Sequence, residues 1–390
     1  MSSLRVLVAH NSYQMRGGED AVVDAEVALL RSHGHPVTEY RRHNDELQDM
    51  RTLAAAFDTL WSRKTGRDLD RLVAEARPDV IHVHNTFPLI SPSLYWTAHR
   101  HGIPVVQTLH NFRLLCPQAM LLRDGKVCED CMGRTPWPAI VHGCYRGSRA
   151  QSAGVAAMVT LHRALGTWRH KVACYIAVNE FCRRKFIEGG LPADRIAIKP
   201  NFVDVPALPT MRRSGFLYVG RLAPEKGIAV LAGAATQTCG IEIKIAGDGP
   251  DAALLDGIEG VDRIGAVSLS QVEDLMCRAV ALVMPSICYE NFPRTLVEAY
   301  GCGLPVIASR IGALAELVVE GVTGLLFDSG NQDDLASKLR WAQAHPTEME
   351  AMGGRARERF EEKFTPRKNY EQLVRIYHTA QRWLSERHAA

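Results

Sequence analysis

No stretch of this chain offers the roughly 18 uninterrupted apolar residues that a membrane-spanning helix needs, so a bilayer-embedded protein is not expected. The opening residues, Met1-Ser2-Ser3-Leu4-Arg5-Val6, lack the basic-then-apolar layout of a secretory signal, and the expected address is cytoplasmic. Net charge is small, +3 over 390 residues, which argues against nucleic acid as a partner. Self-similarity at periods of about 20–50 residues is missing, as are low-complexity segments, which excludes repeat arrays and long disordered tails. Ten cysteines in a chain with no export signal do not make a disulfide scaffold.

What is present is ordinary globular material, 46% hydrophobic and 23% charged, enough for two cores at this length. Short apolar runs alternate with longer helical patterns. The first half carries Leu4–Ala9, Val80–His84, Val105–Leu109, Cys174–Val178 and Ile196–Lys199. The second carries Phe216–Val219, Ile241–Ala246, Ala281–Met284, Val306–Ala308 and Gly324–Phe327. Near-continuous apolar strands separated by helices predict an α/β fold, two doubly wound Rossmann-like domains with parallel sheets covered on both faces. The boundary is expected between Pro200 and Ser214, where Val205-Pro206-Ala207-Leu208-Pro209-Thr210 has two prolines and little periodicity. The domains then span 1–203 and 204–370, facing each other across a cleft. The last residues, about 371–390, read as a helix with Tyr370, Leu373, Val374 and Tyr377 on one face, expected to pack back on the first domain.

Ligands of doubly wound sheets sit beyond the carboxyl ends of the strands, and unusual residues collect there. Phe216–Val219 is followed by Gly220-Arg221-Leu222-Ala223-Pro224-Glu225-Lys226-Gly227. Arg221 and Lys226 in a strand-to-helix loop suit a diphosphate, one as a bidentate fork and one as a mobile point charge. Ala281–Met284 is followed by a loop bearing Glu290 and then a helix opening near Pro293, with Glu298 about one turn inside. The amides of the Thr295–Leu296 turn are expected to face an anion. Two carboxylates beside a phosphate-binding helix end make sense if each accepts hydrogen bonds from sugar hydroxyls.

Glu290 and Glu298 form an E-x7-E pair, preceded by Gly220-Arg221-Leu222-x-x-Glu225-Lys226-Gly227 and by Ile245-Ala246-Gly247-Asp248-Gly249-Pro250, and followed by Gly301-Cys302-Gly303-Leu304-Pro305. In motif order and spacing over nearly the whole chain, this resembles the family 4 retaining glycosyltransferases of GT-B fold. The resemblance implies that a nucleotide-diphosphate sugar, UDP- or GDP-linked, is the donor. Arg221 and Lys226 would hold the diphosphate and Glu298 the ribose. Glu290 would face the donor sugar, with Asn291, Phe292 and Pro293 contributing through backbone. Val267, in Ile264-Gly265-Ala266-Val267, matches a loop near the nucleobase. Gly17 and Gly18, in Gly17-Gly18-Glu19, match a glycine-rich loop whose amides approach the phosphates. His110, at the end of Val105–Leu109, matches a histidine near the reacting sugar. His110, Arg221, Lys226 and Glu290 are thus the expected catalytic set. Front-face substitution with retention is implied, with the leaving phosphate taking the acceptor proton and no catalytic cofactor. No Asp-x-Asp pair stands in a donor loop, which fits metal-free chemistry. One departure is Pro200-Asn201-Phe202-Val203-Asp204 where family members often carry Asn-Gly-Val-Asp; Phe202 lacks glycine's easy access to positive φ.

Cys116, Cys128, Cys131 and Cys144, spaced C-x11-C-x2-C-x12-C, fall in an insertion at 114–149 that reads as a loop with three prolines. Such a loop needs tying down, and four thiolates suit a structural zinc; unpaired thiols and disulfides stay open as alternatives. After it, Ala150 to about Arg169 reads as a helix with Val155, Met158, Val159, Leu161, Leu165 and Trp168 and the cations Arg163, Arg169 and Lys171. It is either a core helix with a basic outer face or a peripheral contact with an anionic membrane. Residues 1–203 hold 26 Lys and Arg against 19 Asp and Glu, a balance of +7, and the remainder 20 against 24, a balance of −4. A saccharide, lipid-linked saccharide or small-molecule acceptor, in polysaccharide or glycoconjugate biosynthesis, is compatible with both. Two other classes remain: a nucleotide-sugar epimerase or hydrolase on the same fold, and a zinc-bearing interaction protein with an inactive donor site.

Overall fold

The computed structural model describes residues 3–50, 52–205 and 212–389; the linker prolines Pro206 and Pro209 lie outside them. Two compact units result. One comprises 1–121, 129–200 and 369–390, the other 122–128 and 201–368.

The first unit is built on a six-stranded sheet. Its strands are β1 (Val6–Ser12), β2 (Val37–His43), β3 (Val80–Asn85), β4 (Val105–Leu109), and, after a two-stranded hairpin β5 (Leu122–Arg123) and β6 (Lys126–Val127) that groups with the other unit, β7 (Cys174–Ala177) and β8 (Ile196–Ile198). The order is β2-β1-β3-β4-β7-β8, and each pairing is parallel. Central strands β3 and β4 are buried along their length, because helices cover both faces and no polar side is needed. Val6, Val8, Val80, Val106 and Ile176 form one core with Val23, Val27 and Leu30 of helix Gly18–Ser32. Helix Pro366–Ala389 lays Leu373, Ile376, Tyr377 and Ala380 into that same core.

The second unit carries β9 (Phe216–Val219), β10 (Ile243–Ala246), β11 (Val261–Gly265), β12 (Ala281–Met284), β13 (Val306–Ser309) and β14 (Gly324–Phe327). Their order, β11-β10-β9-β12-β13-β14, is again parallel at each pairing. Numbered within the unit this is 3-2-1-4-5-6, the doubly wound order of dinucleotide-binding sheets, and it reverses direction between β9 and β12.

The segment 114–149 is more ordered than the loop its sequence suggests. It contains the hairpin and helix Trp137–Val141, and its turns use left-handed backbone at Ala119, Leu121, Asp124 and Arg146. The helix expected at 150–169 is two, Arg149–Ala164 and Thr167–His170, because Gly166 takes φ +67° between them. Arg163 is turned to structural work: its guanidinium donates to the carbonyls of Arg134 (2.7 Å) and Leu114 (3.4 Å), pinning the preceding segment.

Candidate active site

In the second unit Arg221, Lys226 and Glu290 stand on the loops that leave the carboxyl ends of β9 and β12, at the point where strand order reverses. Backbone stitching holds these loops together. The amide of Gly220 bonds Ala246 O, Leu222 bonds Asp248 O at 2.9 Å, and Gly247 bonds Gly265 O at 2.7 Å, so the loops after β9, β10 and β11 form one rim. Ile287 N donates to Glu225 O at 3.1 Å, joining the β12 loop to the β9 loop. Gly227, at φ +71°, lies so close to this junction that a Cβ there would be 1.9 Å from Pro285 O. Only glycine satisfies both the backbone angle and the approach.

This junction puts Lys226 Nζ 2.6 Å from Glu290 Oε1, and Ser286 Oγ donates to the same oxygen at 2.7 Å. Burial, the largest influence on Lys226, opposes its charge, yet attraction and hydrogen bonding to Glu290 carry its pKa upward overall. Glu290 shows the mirror balance: burial would raise it, and Lys226 and Ser286 hold it below the ordinary carboxylate range. Both are therefore charged at neutral pH. Arg221, on the same loop, is exposed and ion-paired to Glu225, while its carbonyl accepts from Tyr218 OH at 2.8 Å. Arg221, Lys226 and Glu290 belong to one stitched junction, with one guanidinium facing solvent. Glu298 lies in helix Arg294–Gly301, half-buried, with Arg294 Nη2 at 3.4 Å; burial raises its pKa. Pro293 is the N-cap of that helix and is buried, Asn291 and Phe292 are half-buried in the loop before it, and Phe292 packs edge-on against Phe364. Thr295 is half-buried in the first turn. Val267 lies just beyond β11, between that strand and helix Leu269–Arg278.

Two expected backbone donors already have partners. Leu296 N donates to Pro293 O at 3.1 Å inside the helix's first turn, and its side chain is fully buried. Gly17 N donates to Asp20 Oδ2 at 2.8 Å, because Asp20 folds back as the cap of helix Gly18–Ser32, and Asp20 is itself held by His10 Nε2 at 2.8 Å. An anion at either place would have to share or displace these bonds. Gly18 is exposed in the first turn, and Glu19 beside it accepts from Tyr13 OH at 2.8 Å. Burial raises Glu19 to about 7, against the hydrogen bonds from Tyr13 and Asn111 that favour the carboxylate.

His110 follows β4 at the carboxyl edge of the first sheet and is half-buried. Its Nε2 is 2.8 Å from Nδ1 of His84, in β3, and the rings stack with an interplanar angle of 16°. Burial first, then the neighbouring histidines and Lys199, holds both histidines well below their ordinary pKa. Behind them lie His82, Glu26 and Lys199, all fully buried. This interior cluster was missed in the sequence. Its signal was there: His82 and His84 are two residues apart in an otherwise apolar strand, which puts both on one face of the sheet.

Of the four expected metal ligands, Cys116 and Cys131 are buried and Cys128 and Cys144 half-buried. Met132 N bonds Glu129 O at 3.0 Å, closing a turn across Cys131. Among the described residues, the metal-ligating atoms that lie within 4.8 Å of one another in a group of three are those of Glu26, His82 and His84.

The fold is that of the glycosyltransferases. Residues 16–206 match the model of Glycosyltransferase Family 4 and residues 213–344 that of Glycosyl transferases group 1, and the chain belongs to this glycosyltransferase family. It is 29% identical over 196 residues to an uncharacterised glycosyltransferase of Methanocaldococcus jannaschii, covering 48% of this chain and 55% of that one. A D-inositol 3-phosphate glycosyltransferase of Mycolicibacterium smegmatis is 27% identical over 274 residues, 67% of this chain and 58% of the relative. The chain thus spans little more than half the length of these relatives. Among solved structures, HepE of Anabaena in complex with UDP superposes with TM-score 0.67 at 16% identity, covering 96% of this chain and all of that one. A glycosyltransferase of Rickettsia africae gives 0.71 at 15% identity, covering 97% and 99%. Both show the same GT-B fold.

Proposed function

We propose that the chain moves a sugar from a UDP- or GDP-linked donor to a saccharide or lipid-linked acceptor with retention of anomeric configuration, in polysaccharide or glycoconjugate biosynthesis. The observation that carries this reading is the Lys226–Glu290 pair at the strand-order reversal, with Arg221 on the same loop. Phosphate oxygens would compete with Glu290 and Glu225 for the two cations, and the freed carboxylates would turn to hydroxyls of the donor. As the bond from the anomeric carbon to phosphate breaks, the cations stabilise the charge left on the diphosphate. The acceptor oxygen bonds the anomeric carbon and its proton passes to the leaving phosphate, so no carboxylate nucleophile is required. Glu298 would hold the ribose and Val267 would lie near the base. HepE's UDP complex and the inositol-phosphate specificity of the mycobacterial relative agree in chemistry with such a donor and with a hydroxylic acceptor. A thermal-shift screen of nucleotide diphosphates tests it: UDP or GDP should raise the melting temperature by mass action. No shift with any nucleoside diphosphate or its sugar ends the reading.

Two further roles are assigned outside the donor loops. The cysteine group is assigned a structural zinc, which would fix the segment 114–149; about one zinc per chain by metal analysis is expected, and a metal-free protein overturns it. An anionic membrane is assigned to the stretch 150–169 through its exposed Leu161 and Leu165, Val155, Met158, Val159 and Trp168 being buried; residues 131–179 contain no Asp or Glu. No helix among the described residues is long and apolar enough to cross a membrane, so contact would be peripheral. Flotation with vesicles rich in anionic lipid, and not with neutral ones, is the expected result.

A further inference from the structure

Helices Arg63–Ala76 and Ser93–Arg100 of the first unit pack on each other and leave a groove of about 760 Å³ at the surface, which nothing in the donor loops uses. Gly66, inside the first of these helices, lines it. A Cβ there would rest 3.6 Å from Thr97 Oγ1, an ordinary contact, so packing does not call for glycine. What the bare backbone leaves is room in the groove.

The cations of this groove run against local electrostatics. Helix Arg63–Ala76 opens with Arg63 and Lys64 and has no acid in its first turn, where the helix dipole favours anions. Arg63 and Arg67 stand four residues apart, a like-charge pair on one face that weakens the helix. Lys64 is answered by Asp68 at 3.0 Å. Arg63 and Arg67, both exposed and both lining the groove, have no ion-pair or hydrogen-bond partner among the described residues. Asp70, the acid that lines it, is engaged by Arg100 and His101, each at 2.7 Å.

Two indoles stand beside these cations. Trp61 is 43% exposed, with its ring stacked on His162 at 6.0 Å. Trp96 is fixed by its indole N–H, which donates to Thr167 Oγ1 at 2.9 Å, and the Lys171 ammonium lies 4.5 Å from its ring. The two indoles are 6.1 Å apart and their planes meet at 50°. A flat nucleobase finds no parallel slot between them. A puckered sugar ring, with C–H groups on both faces, can rest against both.

We propose that this groove binds an anionic saccharide, a sugar carrying a carboxylate or phosphate, with its ring against Trp61 and Trp96 and its charge on Arg63 and Arg67. Free guanidinium groups and exposed indoles in a recess suit a ligand that enters, whereas a bilayer presses on a protruding apolar face. The site does not rest on the donor reading, since its residues all lie in the first unit.

The test is titration calorimetry on the full chain with a galacturonate trimer, maltotriose, inorganic phosphate and phosphatidylglycerol vesicles, with indole NMR to locate binding. The galacturonate trimer should shift the Trp61 and Trp96 signals and bind about tenfold or more tighter than maltotriose or phosphate. Arg63→Glu should weaken it by about tenfold or more. The same change places an acid in the first turn and gives Arg67 a partner, so it should melt no lower than wild type. Trp61→Ala should weaken the trimer as well. Both variants should keep the thermal shift given by UDP or GDP; a wild type that binds the trimer and shows no such shift supports the groove and sinks the donor reading instead. Equal affinity for trimer and maltotriose, phosphate binding as tightly as the trimer, or undiminished trimer binding in Arg63→Glu overturns the proposal. So does vesicle binding that Arg63→Glu abolishes in a protein that ignores the trimer, which would make the groove a lipid site. Arg63→Glu melting well below wild type also overturns it, because the cation would then serve the fold.

Discussion

Removing Lys226 separates what the cation does for the fold from what it does for a ligand. In Lys226→Met the Glu290 carboxylate loses its 2.6 Å partner and keeps the Ser286 hydroxyl. Breaking a fully buried pair costs about 3–5 kcal/mol. Here the side chains are 31% and 11% exposed, so water recovers part of the loss and about 2 kcal/mol is expected. For a unit of this size that lowers the melting temperature by about 4–8 °C. Burial, the largest influence on Glu290, then acts against less opposition, and its pKa rises from a depressed value toward or above the ordinary one. The deficit should therefore shrink as pH falls and Glu290 takes up a proton. Adding Glu290→Gln should restore much of the stability, because the amide is neutral and can still meet Ser286. Nucleotide binding should not return, since the phosphate has lost its cation. Calorimetry of wild type and the two variants with and without UDP and GDP, from about pH 5 to 8, reads both effects. A double variant that regains the nucleotide-induced shift would refute the phosphate assignment. A single variant as stable as wild type would refute the view that the pair is energetically coupled.

Gly227→Ala should be worse than its size suggests. It combines a left-handed backbone with a methyl 1.9 Å from Pro285 O, so the two loops must part; a loss of about 3 kcal/mol or more, and of nucleotide affinity, should show in the same melts. Glu19→Gln tests the buried carboxyl of the first unit. Burial raises Glu19 to about 7, so the stability tied to its protonated form is present at acidic pH and lost as pH rises through that value. The amide variant should therefore gain on wild type above about pH 7 and show little advantage near pH 5, as followed by urea melts.

Sequence patterning exposed the central strands and hid the rims. β3, β4, β12 and β13 are covered on both faces and read as continuous apolar runs. β2 (VTEYRRH) and β11 (VDRIG) stand at sheet edges, where charged residues discourage stray pairing, and neither has an apolar run to find. The donor-site candidates were legible because cations and carboxylates sit oddly after apolar strands. Their local partners were not. Ser286 and Arg294 look like ordinary loop and helix residues until the chain folds, and Glu26 and Lys199, 173 residues apart, meet only in the tertiary structure. Amide occupancy at Gly17 and Leu296 is likewise a matter of turn geometry, which composition does not encode.

Helix Pro366–Ala389 makes the core of the first sheet depend on residues 295 positions further along the chain. Tyr377 hydrogen-bonds His82, and His35 meets Tyr370 OH at 2.9 Å. Ribosomal synthesis delivers residues 369–390 only after both sheets, so the core of the first sheet waits, with its polar interior open to water, until the strands of the second unit have been made. A stop codon near 368 would spare every strand of the molecule and still leave that core unsealed.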